Sequence, residues 1–374
     1  MTLLLRVAAL GALVAAGCES SRPPTTPPPP TPTFVAASVP VQTPSSSGGA
    51  PLITGWLHTE GNQILLPSGK RFHGRGANVH DTRSCDACAW EPPHVDEVKR
   101  RIDTLVDGWH ATFVRLLLES YPDAGAGPNT GKGRTHFRDV LDDDAYFKDV
   151  MQIVGHVGKK PGVYVLVSLW HDPSLDGHGW PTERTKAVWK KLATALRDMP
   201  FVMFGIVNEP QHNDDGKLDA EVWRRMKETV DAIRSVERPE HPHLVAVQGT
   251  REWARVLDYY VDHPIGPNVV YETHVYDGRA RFGALVERPA KRLPIIIGEH
   301  GIVDGQNGAH MNAGDCVALM DLAEKLEVPW LAYTFHHNCP PNLLVEHNGT
   351  CGAGVDLAPS KWGAIVKERL SRPY

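Results

Sequence analysis

Eight short apolar runs, each followed by a stretch with helical spacing, constrain this 374-residue chain more than any other feature. The runs cover 72–79, 111–118, 163–170, 201–207, 244–248, 269–274, 293–298 and 329–335. Helical spacing follows over 93–106, 144–158, 183–197, 220–236, 252–260, 281–288, 314–326 and 361–370. A strand that is apolar along its whole length has to be covered on both faces, which is the condition of a parallel sheet under helices. Eight such units predict an α/β fold, a single (β/α)8 TIM barrel. A doubly wound open sheet is the alternative, weakened because no glycine-rich dinucleotide fingerprint follows the first run.

The barrel is expected to begin at Pro51. Residues 1–17 read as a lipoprotein signal peptide: Arg6 precedes an apolar stretch from Val7 to Ala16 that is too short to span a bilayer. Ala15-Ala16-Gly17-Cys18 resembles a bacterial lipobox, in which cleavage before the cysteine leaves Cys18 diacylated; an ordinary signal peptide is the plainer alternative. Residues 18–50 hold the run Pro27 to Pro30, interleaved threonines and Ser45-Ser46-Ser47, a disordered Pro/Thr/Ser-rich tether with too little apolar surface to fold. In polyproline II, at about 3.1 Å per residue, it would reach roughly 100 Å. The implied localisation is an exported, membrane-anchored lipoprotein, periplasmic or at the cell surface.

The net charge of −5 is mild and no basic run occurs, which argues against nucleic acid as a partner. Of six cysteines, five follow Cys18. Export makes disulfides the first expectation, with Cys85 and Cys88, and Cys339 and Cys351, as the sequence-local pairs and Cys316 left over. Zinc is the rival, given His80, His336, His337 and His347, but Cys85/Cys88 has no second cysteine pair to complete it. No metal and no cofactor are expected.

Active sites of such barrels lie where strands end. Arg115 falls within the second run, His171 ends the third, Asn208 and Glu209 end the fourth, His274 and Tyr276 the sixth, and Glu299 the seventh. Two glutamates on opposing sides of a barrel mouth are the equipment of glycoside hydrolysis, one protonating the leaving oxygen and the other attacking the sugar. One glutamate alone would read as a solvated loop charge; two at matching strand ends reverse that reading.

FVMFGIVNEP (201–210), VVYETHVY (269–276) and LPIIIGEHG (293–301), with FHGRGANV (72–79) and ATFVRLLL (111–118), resemble the signatures of glycoside hydrolase family 5, the cellulase-like family of clan A. The resemblance implies Glu209 as acid/base, Glu299 as nucleophile and Asn208 as a hydrogen-bond partner of the sugar 2-hydroxyl. It implies Tyr276 beside the nucleophile, His274 near the acid/base or substrate, His171 as the strand-three histidine, and Arg115 paired with Glu299, depressing its pKa. The family's strand-eight tryptophan is replaced: Tyr333 and Phe335 stand near its place, and either could supply the stacking face. Trp170, Trp180 and Trp90 fall in or near strand-end loops as candidate sugar contacts, whereas Trp56 is expected to cover the barrel bottom. The function so implied is a retaining, monomeric, endo-β-1,4-glucanase-like enzyme acting on β-linked polysaccharide and held at a membrane by its lipid anchor. A β-mannanase and a non-catalytic carbohydrate-binding lipoprotein are the alternatives.

Overall fold

The apolar runs close into one parallel barrel. Its strands are β3 (Arg75–His80), β4 (Phe113–Leu118), β5 (Tyr164–Leu169), β6 (Val202–Gly205), β7 (Val245–Gln248), β8 (Val269–Val275), β9 (Ile295–His300) and β12 (Trp330–Ala332). They pair in chain order, and β12 closes the ring against β3. The computed structural model describes residues 55–82, 94–118, 139–170, 178–305, 309–347 and 354–373. All of these lie in one unit, Gly49–Tyr374. Cys18, Cys85, Cys88, Trp90, His171 and Cys351, singled out from the sequence, lie outside the described residues.

The helices on the outside are α1 (Val95–Asp103), α2 (Asp144–Val157), α3 (Glu183–Leu196), α4 (Asp219–Arg234), α5 (Asp258–Asp262), α6 (Arg288–Ala290), α7 (Ala313–Leu326) and α8 (Lys361–Ser371). Several start where the sequence supplies a cap. The Asp143, Thr182, Asn312 and Ser360 side chains each accept a backbone N–H of the first turn, and Thr182 and Asn312 complete reciprocal capping boxes. No helix among the described residues is long and apolar enough to cross a membrane.

Two expected helices are corrected. Over 252–260 only Asp258–Asp262 is helical, because Glu252, Trp253 and Ala254 take φ of 51°, 59° and 67°, a left-handed run that no right-handed helix can contain. Over 281–288 the chain forms a 3-10 turn (Arg279–Arg281), a π turn (Gly283–Glu287) and then α6. Two hairpins were not expected: β1 (His58–Glu60) with β2 (Gln63–Leu65), and β10 (Val303–Asp304) with β11 (His310–Met311).

The barrel lumen is layered. At the strand starts Phe113, Leu166, Met203, Ala246, Val270, Ile296 and Leu331 form an apolar plug, with Phe72 packed edge-on to Phe113 and Tyr164. Trp56, stacked on His241 with its edge to His243, lies beside the loop that enters β7. Period-two alternation then carries the next inward position of β4 from Phe113 to Arg115, and that of β8 from Val270 to Glu272. The plug gives way to charge within a single step along each strand.

Candidate active site

Arg115 is fully buried and organises the upper layer. Its Nη1 donates to Glu299 Oε1 at 2.7 Å and to Asn78 Oδ1 at 2.8 Å, and its Nη2 donates to Asn208 Oδ1 at 2.8 Å. Its Nε lies 3.0 Å from Glu272 Oε1. Asn78 is fixed in turn by donating to the carbonyls of Gly298 and Ala332.

Glu299 reaches the lumen through an irregularity in β9. Thr273 pairs with Ile297 and His274 with Glu299, so Gly298 is an extra residue on β9. Such a bulge re-aims the side chain that follows it. Here it lets Glu299 and His274 both point inward, and Tyr276 donates to Glu299 Oε2 at 2.8 Å. Glu209, just beyond β6, has φ of 48°, an uncommon conformation for a side-chain-bearing residue. The Gln248 side-chain oxygen at the end of β7 accepts the Glu209 N–H and holds that conformation.

His274 joins the two sides. Its Nδ1 lies 2.9 Å from Glu209 Oε1 and 3.5 Å from Glu299 Oε2, and its Nε2 lies 3.0 Å from Glu272 Oε1. The ring is buried, yet the carboxylates around it outweigh desolvation and raise its pKa to about 9. Burial would raise Glu272, but Arg115 and His274 hold it below the ordinary carboxylate range. Glu299 goes the other way. Burial is the largest influence and pushes it up, Glu209 adds to the rise, and His274 and Arg115 only partly offset it. Arg115 does pair with Glu299 and pull it down, as expected, but the net shift is upward: one guanidinium is shared with Glu272 and does not offset the desolvation of Glu299. Burial and the Glu299 charge also push the Tyr276 hydroxyl up, which keeps it a proton donor.

One oxygen of Glu209 and one of Glu299 lie, with a nitrogen of His274, within 4.8 Å of one another. A cation could use that spacing, but the Arg115 and His274 charges already sit against these carboxylates. The pair opens into a cleft of about 390 Å³, also lined by Asn208, Tyr276, Trp170, Tyr333 and Trp253. That is the size of a small-ligand site.

The structure thus brings together Glu209, Glu299, Arg115, Asn208, His274, Tyr276, Trp170 and Tyr333. It leaves out Phe335, which is fully buried with its ring edge-on to Trp109. Trp180 also turns away, nearly buried and donating to the Gln211 carbonyl. Cys339 lies near the site, 3.3 Å from the Tyr333 hydroxyl and 3.5 Å from His80 Nε2, and Cys316 is buried in α7. The sequence reading missed Asn78, Gln248, Trp253 and Glu272. Glu272 carried the one usable signal, an acid inside an apolar strand that has to be paired if buried.

Comparison with known proteins bears on the barrel and its family. Endoglucanase A of Butyrivibrio fibrisolvens is 23% identical over 276 residues, 72% of this chain and 58% of that protein, so the chain spans little more than half the length of that relative. The catalytic domain of Thermobifida fusca endoglucanase Cel5A superposes with a TM-score of 0.65 at 19% identity, covering 85% of this chain and 98% of that one. A Saccharophagus degradans β-glucanase solved with cellotetraose gives 0.64 at 20% identity, covering 88% and 97%. At such identities these likenesses show the shared barrel. The family itself is shown by the match of residues 66–338, most of the chain and every strand of the barrel, to the cellulase model: the chain belongs to the cellulase family, glycosyl hydrolase family 5.

Proposed function

We propose that this chain is a retaining endo-β-glucanase, with Glu209 as acid/base and Glu299 as nucleophile. The carrying observation is the short separation of the two carboxylates in one cleft, oxygen to oxygen within 4.8 Å. Retaining glycosidases hold their carboxyl groups about 5–5.5 Å apart, whereas inverting ones leave about 6.5–9.5 Å for a water. Both Glu299 oxygens accept hydrogen bonds, from Arg115 and from Tyr276, and this favours the ionised form that attacks. Glu209 lies further into the cleft opening and meets the imidazole of His274.

In the first step Glu299 bonds to the anomeric carbon while Glu209 gives its proton to the departing glycosidic oxygen. In the second, Glu209 takes a proton from water, which attacks the same carbon and releases Glu299. Asn208, tied to Arg115, presents its amide to the sugar 2-hydroxyl. Tyr333 supplies the aromatic face at the end of strand eight, and Trp253 and Trp170 extend the cleft for further sugar units, which favours endo action on a β-glucan. The endoglucanase relative and the β-glucanase solved with cellotetraose point to the same substrate class.

The test is hydrolysis of β-1,4-glucan, mixed-linkage glucan, β-mannan and xylan by the full chain. Cleavage of the glucans that disappears in Glu299→Gln and Glu209→Gln is expected; cleavage of mannan alone would move the substrate, and undiminished activity in either variant would remove the mechanism. We also propose that the protein is exported and anchored through an acylated Cys18, with 18–50 as the tether, on the strength of the lipobox-like segment. Cys18→Ser should then move it from the membrane fraction to the soluble one, and unchanged partitioning would refute the anchor.

A further inference from the structure

Glu272 is fully buried, does not line the cleft, and so cannot touch a sugar. It is nevertheless accommodated with care. An ideal Cβ on Gly298 would lie 2.0 Å from Glu272 Oε1 and 2.6 Å from its Cδ, so the bulge glycine of β9 leaves the slot that this carboxylate fills. In that slot one oxygen, Oε1, meets both Arg115 Nε and His274 Nε2 at 3.0 Å. A buried carboxylate is costly unless it is paired, and these two contacts are what keep it ionised.

We propose that Glu272 is a positioning residue for the reaction: its charge engages Arg115 and a His274 imidazolium whose Nδ1–H faces Glu209 and Glu299, so that the two cations do not suffice to ionise both of those carboxyls and one proton stays on the pair. The proposal rests on the reading of Glu209 and Glu299 as the catalytic pair.

The charged and titratable groups around His274 are Arg115 from β4, Glu209 after β6, Glu272 and Tyr276 from β8 and just beyond it, Glu299 from β9, and Tyr333 after β12; β7 adds the neutral amide of Gln248. Three carboxylates face two cations. The cluster is neutral only when one proton resides on Glu209 or Glu299, which is the state an acid and a nucleophile need before the first step. Without the Glu272 charge, and with both cations retained, the two remaining carboxylates would balance them and the cluster would be neutral with no proton on Glu209 or Glu299. Glu272 also fixes the ring: with Nε2–H committed to Glu272, Nδ1–H is left for Glu209. Gln248 Nε2, 3.2 Å from the same ring nitrogen, offers the competing arrangement, donating to a neutral ring.

The test compares Glu272→Gln with wild type, both as the full chain, on two aryl β-cellobiosides. One carries a 2,4-dinitrophenyl group, which departs without protonation; the other carries a poor leaving group that needs an acid. Loss of the acid's proton should cut kcat on the poor leaving group about tenfold or more and change the activated substrate by less than about threefold. The alkaline limb of kcat/KM should move down by about one pH unit. Equal losses on both substrates with the limb unmoved would overturn the proposal and leave Glu272 a counter-ion of Arg115. In wild type, the 15N shifts of the His274 ring should show both nitrogens protonated up to pH 8; a neutral ring at pH 7 would overturn it whatever the variant does. Failure of wild type to cleave either compound would sink the glycosidase reading instead, while the ring titration would still decide the state of His274.

Discussion

His274 and His300 end neighbouring strands, both are fully buried, and their pKa values are pushed in opposite directions. His274 faces the lumen among three carboxylates and is raised to about 9. His300, next in sequence to Glu299, faces outward between the edges of Trp330 and Trp362, finds no carboxylate among the described residues, and is lowered to about 3 by burial. Burial is common to both, so it is the partner set that decides. The lumen face of β8 and β9 is built for charge, and the outer face, one residue away, is built for packing.

Removing each ring should therefore have unlike consequences. His274→Leu would leave three carboxylates around one cation and should cost about 3–5 kcal/mol of stability along with turnover. His300→Leu replaces a ring whose nitrogens have no hydrogen-bond partner among the described residues and should stay within about 1.5 kcal/mol of wild type, with near-normal activity. Thermal unfolding of the two variants checks this, and equal destabilisation would erase the contrast.

The pH dependence sharpens the contrast, because the two signs are opposite. The stability contributed by the raised His274 is fully present below the unfolded pKa of about 6.5 and is lost as pH rises through about 9. His300 is neutral when folded and takes up a proton when unfolded, so its effect is a stability that falls as pH drops from about 6.5 towards about 3. His300→Leu should flatten the acid side of a stability profile and leave the alkaline side unchanged.

The smallest effect is expected at the cleft wall. Tyr333→Ala removes an aromatic face without touching the charges and should raise KM more than it lowers kcat, by about 0.5–1.5 kcal/mol beyond the lost contact area. A larger loss in kcat than in KM would give Tyr333 a part in the chemistry.

The same contrast explains what the sequence made legible. The barrel strands were readable because their outer faces pack under helices and their inner faces fill the plug, so the runs are apolar throughout. Glu209 and Glu299 stood out as charges at the ends of such runs. Glu272 did not, because a pairing partner such as Arg115 is distant in sequence and only barrel closure brings it near. The role of Gly298 was hidden for the same reason, since a bulge is a relation between two strands. The segment 252–260 misled because its apolar residues fall at helical spacing, whereas Trp253 turns towards the cleft on a left-handed backbone. Tyr333 and Phe335 both stand near the place of the family's tryptophan, but β12 ends at Ala332, and beyond it the Phe335 ring packs against Trp109 while Tyr333 lines the cleft.

The central claim is that two carboxylates this close act by double displacement. The most direct measurement is 1H NMR of the first product released from a β-glucan oligosaccharide, before mutarotation sets in. Double displacement releases the new reducing end as the β-anomer; first appearance of the α-anomer would mean single displacement through water and would rule out Glu299 as the nucleophile.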